Sequence, residues 1–274
     1  MRERFHDLAR LAEHGRALMQ LASETAPAAR QLAGSAPTPG ARLGLLAGSF
    51  NPPTVAHQTL AEAGLTAGVL DHVWFSLSTR TVDKEVVSGA LLEDRLLLLD
   101  LLTEADARLG VVALNRGLYV DQARIVRAAF PDLGALVFLV GFDKIVQIFD
   151  PRYYDDRDAA LDALFQLATF MVAPRGDDEG PALARLLDAP ENRRFADAVQ
   201  PLDLPPTLRD VASSTIRSNL ADGLTADDRL DESVHPLVAQ FIAETGVYAD
   251  EARYRQRASL IEQAIQNTPP TTAG

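Results

Sequence analysis

Leu43-Gly44-Leu45-Leu46-Ala47 runs into Gly48-Ser49-Phe50-Asn51-Pro52-Pro53-Thr54-Val55-Ala56-His57, and a helical pattern follows. A short apolar run closed by a glycine reads as a buried strand. Gly48 permits a tight turn and close approach of a ligand to the backbone. Pro52 and Pro53 stiffen the loop, and Thr54 is placed to cap a helix that begins at Val55. Thr54 and His57 are three residues apart, so they share one face of the first helical turn. A hydroxyl, an imidazole and free backbone N–H groups then meet at the positive end of a helix dipole, a combination suited to phosphate.

From Arg42 onward the same texture recurs. Strands are expected at Leu43–Ala47, Val73–Leu77, Gly110–Leu114, Ala135–Val140 and Thr169–Ala173. Helices are expected between them at Val55–Ala67, Leu91–Ala105, Val120–Phe130 and Asp158–Leu167. Short apolar strands alternating with helices form βαβ units, which assemble into a parallel sheet covered by helices on both faces, an α/β fold. Such sheets bind ligands beyond the carboxyl ends of the strands, where strand order reverses. The last third reads as helical: Ser213–Leu220, Pro236–Thr245 and a longer polar stretch at Glu251–Gln266, with a disordered end at Asn267–Gly274.

Ahead of this domain, Met1 to about Thr25 reads as one amphipathic helix, with Phe5, Leu8, Leu11, Ala12, Leu18 and Leu21 near a 3.6 period and Pro27 as its terminator. Gly34–Gly40 is a linker by composition. The expected division is an N-terminal helical extension and linker (1–40), the main domain (41–250), and a C-terminal helix and tail (251–274). The leader reads as a dimerisation or regulatory arm, which would make the chain a homo-oligomer, or, more plainly, as a helix packed on the outside of the main domain.

Composition sets outer limits. The chain has 274 residues, 47% hydrophobic and 23% charged, enough for a large core without staples. With 26 basic against 38 acidic residues the net charge is −12, which disfavours a broad nucleic-acid footprint. There is no cysteine, hence no disulfide, thiolate nucleophile or Cys-based zinc site. Leu133–Phe142 and Leu96–Leu102 are too short to span a membrane, and the charged N-terminus is unlike a secretory signal. A cytoplasmic protein without membrane or nucleic-acid partners is the expectation. His6, His14, His72 and His235 lack metal-ligand spacing, so no protein-built metal site is expected.

Ser213-Ser214-Thr215-Ile216-Arg217 repeats the chemistry of the first loop. Read as a Ser-capped helix, it presents Ser214 and Arg217 on one face of its first turn, a second phosphate cradle with a bidentate guanidinium. Two anion sites in one acidic α/β chain suit a polyphosphate and its reaction partner.

Taken together, GSFNPPTVAH and the distant SSTIR resemble the nucleotidyltransferase superfamily of the T/HxGH type, most closely the nicotinamide/nicotinate mononucleotide adenylyltransferases. Members typically carry a Gly-x-Asp after a central strand and an Arg after the next; here these are Gly141-Phe142-Asp143 and Arg175. HPLVAQFIAETGVY, His235 to Tyr248, resembles the family's closing helix. Thr54 stands where many members have a first His, Ala56 replaces a Gly, and SSTIR is one residue shorter than the fullest signature. The Trp often found after Gly-x-Asp is missing, and Phe149, Tyr153 and Tyr154 are the aromatic residues nearest to it.

The resemblance implies a Rossmann-like sheet and in-line attack of a mononucleotide phosphate on the α-phosphorus of ATP, with Mg²⁺ held mainly by the ATP phosphates. It implies His57, Thr54 and Arg217 as the catalytic group, His57 and Arg217 also contacting ATP. Gly48, Ser49, Phe50, Gly141, Asp143, Arg175, Ser213, Ser214 and Thr215 would complete the ATP site, and Asn51, Lys84 and Arg95 would meet the acceptor. Two other readings stay open at this level: transfer of adenylyl or cytidylyl to another phosphorylated acceptor such as phosphopantetheine, and an inactive nucleotide-binding module.

Overall fold

In the computed structural model, which describes residues 2–66, 68–80, 89–174, 179–223 and 230–267, the five expected apolar runs form the body of a seven-stranded sheet. Its strands are β1 (Ala29–Ala33), β2 (Arg42–Ala47), β3 (His72–Ser78), β4 (Leu109–Leu114), β5 (Ala135–Gly141), β6 (Thr169–Ala173) and β7 (Val199–Pro201). They lie in the order β1-β4-β3-β2-β5-β6-β7. All pairings are parallel except β1 with β4. The order runs one way from β2 through β3 to β4 and the other way from β5 to β7, so it reverses between β2 and β5. The loops after these two strands therefore open into the crevice where such sheets take ligands.

The helices are α1 (Leu8–Ser23), α2 (Val55–Thr66), α3 (Leu92–Thr103), α4 (Tyr119–Ala129), α5 (Phe142–Phe149), α6 (Arg157–Leu167), α7 (Glu179–Asp188), α8 (Ser213–Ala221), α9 (Leu230–Ser233), α10 (Pro236–Thr245) and α11 (Glu251–Asn267). Alternation along the strands sorts the sheet side chains between two layers. Leu43, Leu45, Phe138, Val140, Phe170 and Val172 pack with α4, α5 and α6, while Leu46, Phe75, Leu77, Val137, Leu139 and Met171 pack with α1, α2 and α3. Helix α2 sits close on β2 because both are glycine at the contact. A Cβ on Gly44 or Gly64 would meet Leu70 and Leu139 at 2.6–3.1 Å.

Helix α3 has no apolar stripe because it has no outer face. Leu96 and Leu99 turn to the sheet, whereas Leu97, Leu98 and Leu101 turn to a third layer with Phe5, Ile216, Val238, Phe241 and Ile261 from the two ends of the chain. A helix apolar on all sides is a buried one. No described helix is long and apolar enough to cross a membrane.

The leader differs from the single helix expected. The Asp7 carboxylate accepts from the Arg10 N–H at 3.0 Å and starts α1 afresh after a 3₁₀ turn at Arg2–His6. The helix ends at Ser23, four residues before Pro27. Between it and the linker lies β1, an unforeseen edge strand, while α1 packs on α3 and α11. Asn115, completely buried just after β4, fixes the crossing: its amide oxygen accepts from Ala28 N–H at 2.8 Å. Its amide nitrogen donates to the carbonyls of Ala26 at 2.7 Å and Glu24 at 3.1 Å.

Candidate active site

The loop after β2 is shaped by its own side chains. The Gly48 N–H continues the parallel ladder to the Ser76 carbonyl at 3.1 Å. Phe50 then adopts φ 46°, a costly left-handed backbone for a bulky residue. Its ring is fully buried, edge-on to Phe75 and His57 and pressed against Gly48, where a Cβ would come within 3.0 Å of it. Phe50 therefore anchors the loop and can reach a nucleotide only with its backbone. The next peptide, Asn51–Pro52, is cis.

At the start of α2 the expected cap is present and reciprocal. The His57 N–H lies 3.4 Å from Thr54 Oγ1, and the Thr54 N–H donates to His57 Nδ1 at 3.0 Å. This is a capping box with imidazole in the place usually taken by Glu or Gln. A neutral imidazole that accepts at Nδ1 carries its proton on Nε2, so His57 offers a donor. The Thr54 hydroxyl, 2.7 Å from Nδ1 and only 1% exposed, orients His57; the phosphate contact expected of it is taken from it by burial.

The distant SSTIR stretch lies directly against this loop. Ser213 is the first residue of α8 and Ala212 occupies the capping position, correcting the Ser cap read from the sequence. The Ser213 hydroxyl donates instead to the Pro52 carbonyl at 2.8 Å, and Arg217 Nη1 donates to the Asn51 carbonyl at 2.7 Å. Ser214 and Thr215 are exposed on the first turn of α8. From the first turn of α3, Arg95 Nη1 donates to the Ser49 carbonyl at 3.1 Å, while its buried Nε has no partner. Burial lowers the Arg95 pKa, and the nearby Arg217 charge pushes the same way. Among the described residues, neither guanidinium has a carboxylate within salt-bridge distance.

Asn51, expected to meet the acceptor, is completely buried. Its amide oxygen accepts from the Tyr248 hydroxyl at 2.7 Å and from the Ala90 N–H at 3.1 Å, so that oxygen pins the loop. Tyr248 itself has φ 71°, and burial pushes its hydroxyl pKa up. Sequence reasoning missed this contact; the only signal was the Tyr that ends the family-like HPLVAQFIAETGVY stretch.

Across the crevice, β5 ends at Gly141, which has open space where a Cβ would stand. Asp143 lies exposed in the first turn of α5. Of the three aromatic residues nearest the missing Trp, Phe149 is core, stacked on Phe165. Tyr154 donates to the Ile148 carbonyl, and the Tyr153 hydroxyl accepts from Gln147. Lys84 and Arg175 lie outside the described residues. Among the described residues no group of three or more His, Asp or Glu could hold a metal ion.

No family model matches the chain. It is 30% identical over 222 residues to a probable nicotinate-nucleotide adenylyltransferase of Chromobacterium violaceum, covering 76% of this chain and 99% of that one. A protein of the same description from Gemmatimonas aurantiaca is 30% identical over 219 residues, 77% of this chain and 94% of its own. Among solved structures, Plasmodium falciparum nicotinic acid mononucleotide adenylyltransferase complexed with NaAD superposes with a TM-score of 0.54 over 76% of this chain and 97% of that one. The identity there is 16%, so that likeness concerns the fold. By its similarity to the curated relatives, and with an imidazole loop and an SSTIR helix joined at the sheet's switch point, the chain belongs to the nicotinate-nucleotide adenylyltransferase family.

Proposed function

We propose that this protein transfers AMP from ATP to nicotinate or nicotinamide mononucleotide, making a dinucleotide in NAD biosynthesis. A phosphate oxygen of the mononucleotide bonds to the α-phosphorus of ATP. The bond from that phosphorus to the bridging oxygen breaks, and pyrophosphate leaves with the electron pair. Nothing covalent passes through the protein, so its task is to align the two phosphates and to meet charge as it moves onto the leaving group.

The observation that carries this reading is the pair of guanidiniums, Arg95 and Arg217, bound to neutral carbonyls of one loop beside His57. A buried Arg95 and a half-buried Arg217 with no carboxylate in reach among the described residues call for an anion from elsewhere. Arg217 would bind the β- and γ-phosphates, with Ser214 and the N-terminus of α8 as neutral donors. The Nε2 proton of His57 would meet the α/β-phosphate region. Asp143 would accept from a ribose hydroxyl at the end of β5, and Arg175 and Lys84 would add charge for ATP and acceptor.

Mg²⁺ fits this site as part of the nucleotide. The donors around the loop are hydroxyls, an imidazole N–H and guanidiniums, which bind phosphate oxygens and leave the ion to phosphate and water. When bound it offsets triphosphate charge.

Pyrophosphate release from ATP, measured with nicotinate mononucleotide, nicotinamide mononucleotide and phosphopantetheine in turn, tests the reading. Release with either pyridine mononucleotide supports it; release with phosphopantetheine alone, or with none, overturns it.

A further inference from the structure

The residue before Arg95 is the centre of a buried polar node that the transfer reaction as described leaves unused. Asp94, with no exposed surface, stands in the first turn of α3, where a carboxylate suits the helix dipole. It accepts from Arg257 of α11 at Nη2, 2.6 Å, and at Nε, 3.2 Å, and from the Tyr254 hydroxyl at 2.6 Å. The same hydroxyl accepts from the N–H of Leu91 at 2.7 Å, at the capping position of α3, where no side chain caps. Arg257 is 7% exposed.

Stability alone gives little reason for such a node. Withdrawing two charges from water costs about what their attraction returns, and an apolar pair would hold two helices as well. What the node adds is direction. Its hydrogen bonds, spanning 163 residues of sequence between Asp94 and Arg257, fix both the rotation of α3 about its axis and its position along it. Arg95 follows about 100° round the helix, and there its guanidinium meets the Ser49 carbonyl in the loop that carries His57. A turn or slide of α3 would withdraw that guanidinium from the loop.

We propose that Asp94, Tyr254 and Arg257 are positioning residues for phosphate binding and transfer, setting the first turn of α3 from the C-terminal helix so that Arg95 holds the His57 loop. The idea rests on the proposed function only for its kinetic readout.

The test is a double-mutant cycle with Tyr254→Phe and Arg95→Ala, repeated with Arg257→Lys in place of Tyr254→Phe so that failure of one variant to fold does not end it. ATP affinity by calorimetry, kcat, KM for each substrate and Tm are measured for every variant. Tyr254→Phe should weaken ATP binding and lower kcat by roughly 10-fold, short of the 10²-fold that a displacement of about 1 Å costs. The double variant should be no worse than Arg95→Ala alone, because the node acts through Arg95. Losses that multiply, or a fall in Tm with ATP affinity and kcat intact, would overturn the proposal. If the wild type proves inactive with every acceptor, the functional reading falls, and the ATP-affinity cycle still decides the node.

Discussion

His57 shows how far a single residue can be read. Its spacing from Thr54 was legible because capping is local: a hydroxyl and an N–H three residues apart meet whatever the rest of the fold does. That Nδ1 accepts from the Thr54 N–H, leaving the proton on Nε2, needed coordinates. His57→Ala removes one preorganised donor and should lower kcat by about 10²–10³. Steady-state pyrophosphate release on folded protein is the check, and unchanged turnover would remove His57 from the reaction. Glu93, beside the buried node, behaves differently. Burial and then the Asp94 charge raise its pKa, against the pull of a backbone hydrogen bond, Arg95 and His14. A raised acid favours the folded state below its unfolded value of about 4.3 and loses that contribution as pH rises through the folded value. Glu93→Gln should therefore raise Tm at pH 7–8 and leave it nearly unchanged below about pH 4. A lower Tm at pH 8 would contradict that assignment.

At the scale of elements, legibility followed burial. Strand β6 has the bounds expected from sequence, Thr169–Ala173, because a parallel strand covered on both faces is a continuous apolar run. Strand β1 was invisible for the opposite reason. Arg30 and Gln31 are exposed, as an edge strand allows, and nothing in ARQLA alternates. Helix α5 is absent from the expected elements although Ile145, Ile148 and Phe149 repeat at helical spacing, because its eight residues make too short a periodic run to stand out. The terminal helices were seen, but their service to the site was not: Asn51 and Tyr248 are 197 residues apart, and no local pattern encodes that contact. Asn115 plays the same part for the leader. Asn115→Ala would orphan the Ala28 N–H and the carbonyls it now satisfies, at a cost of about 1–3 kcal/mol. Urea unfolding should show a lower midpoint, and proteolysis should cut sooner within 24–28. An unchanged midpoint would mean that β1 and α1 hold the crossing without it.

Across the whole molecule, against the acidic surplus, Arg95 and Arg217 stand out as two cations brought to one loop. Many of the other arginines are paired: Arg10 with Asp100 and Glu104, Arg42 with Asp71, Arg108 with Asp106, Arg152 with Asp150, Arg257 with Asp94. In a chain of net charge −12, two neighbouring guanidiniums that among the described residues bond to carbonyls are a local reversal of the surrounding field. ATP should be repelled elsewhere and held there. The groups that would hold it come from α2, α3, α5 and α8, far apart in sequence, so the unfolded chain has no such site and ATP binds the native state alone. Stabilisation then follows mass action, about 2.7 kcal/mol at a concentration 100 times Kd. At roughly 2–4 °C per kcal/mol for domains near this size, Tm should rise by several degrees with Mg-ATP. In Arg217→Ala the rise should shrink by more than half at the same ATP concentration, while the ligand-free Tm moves far less, since the lost bond is one hydrogen bond to the Asn51 carbonyl. An undiminished shift would place ATP elsewhere on the molecule, and the two stretches that meet at this loop would have met for structure alone.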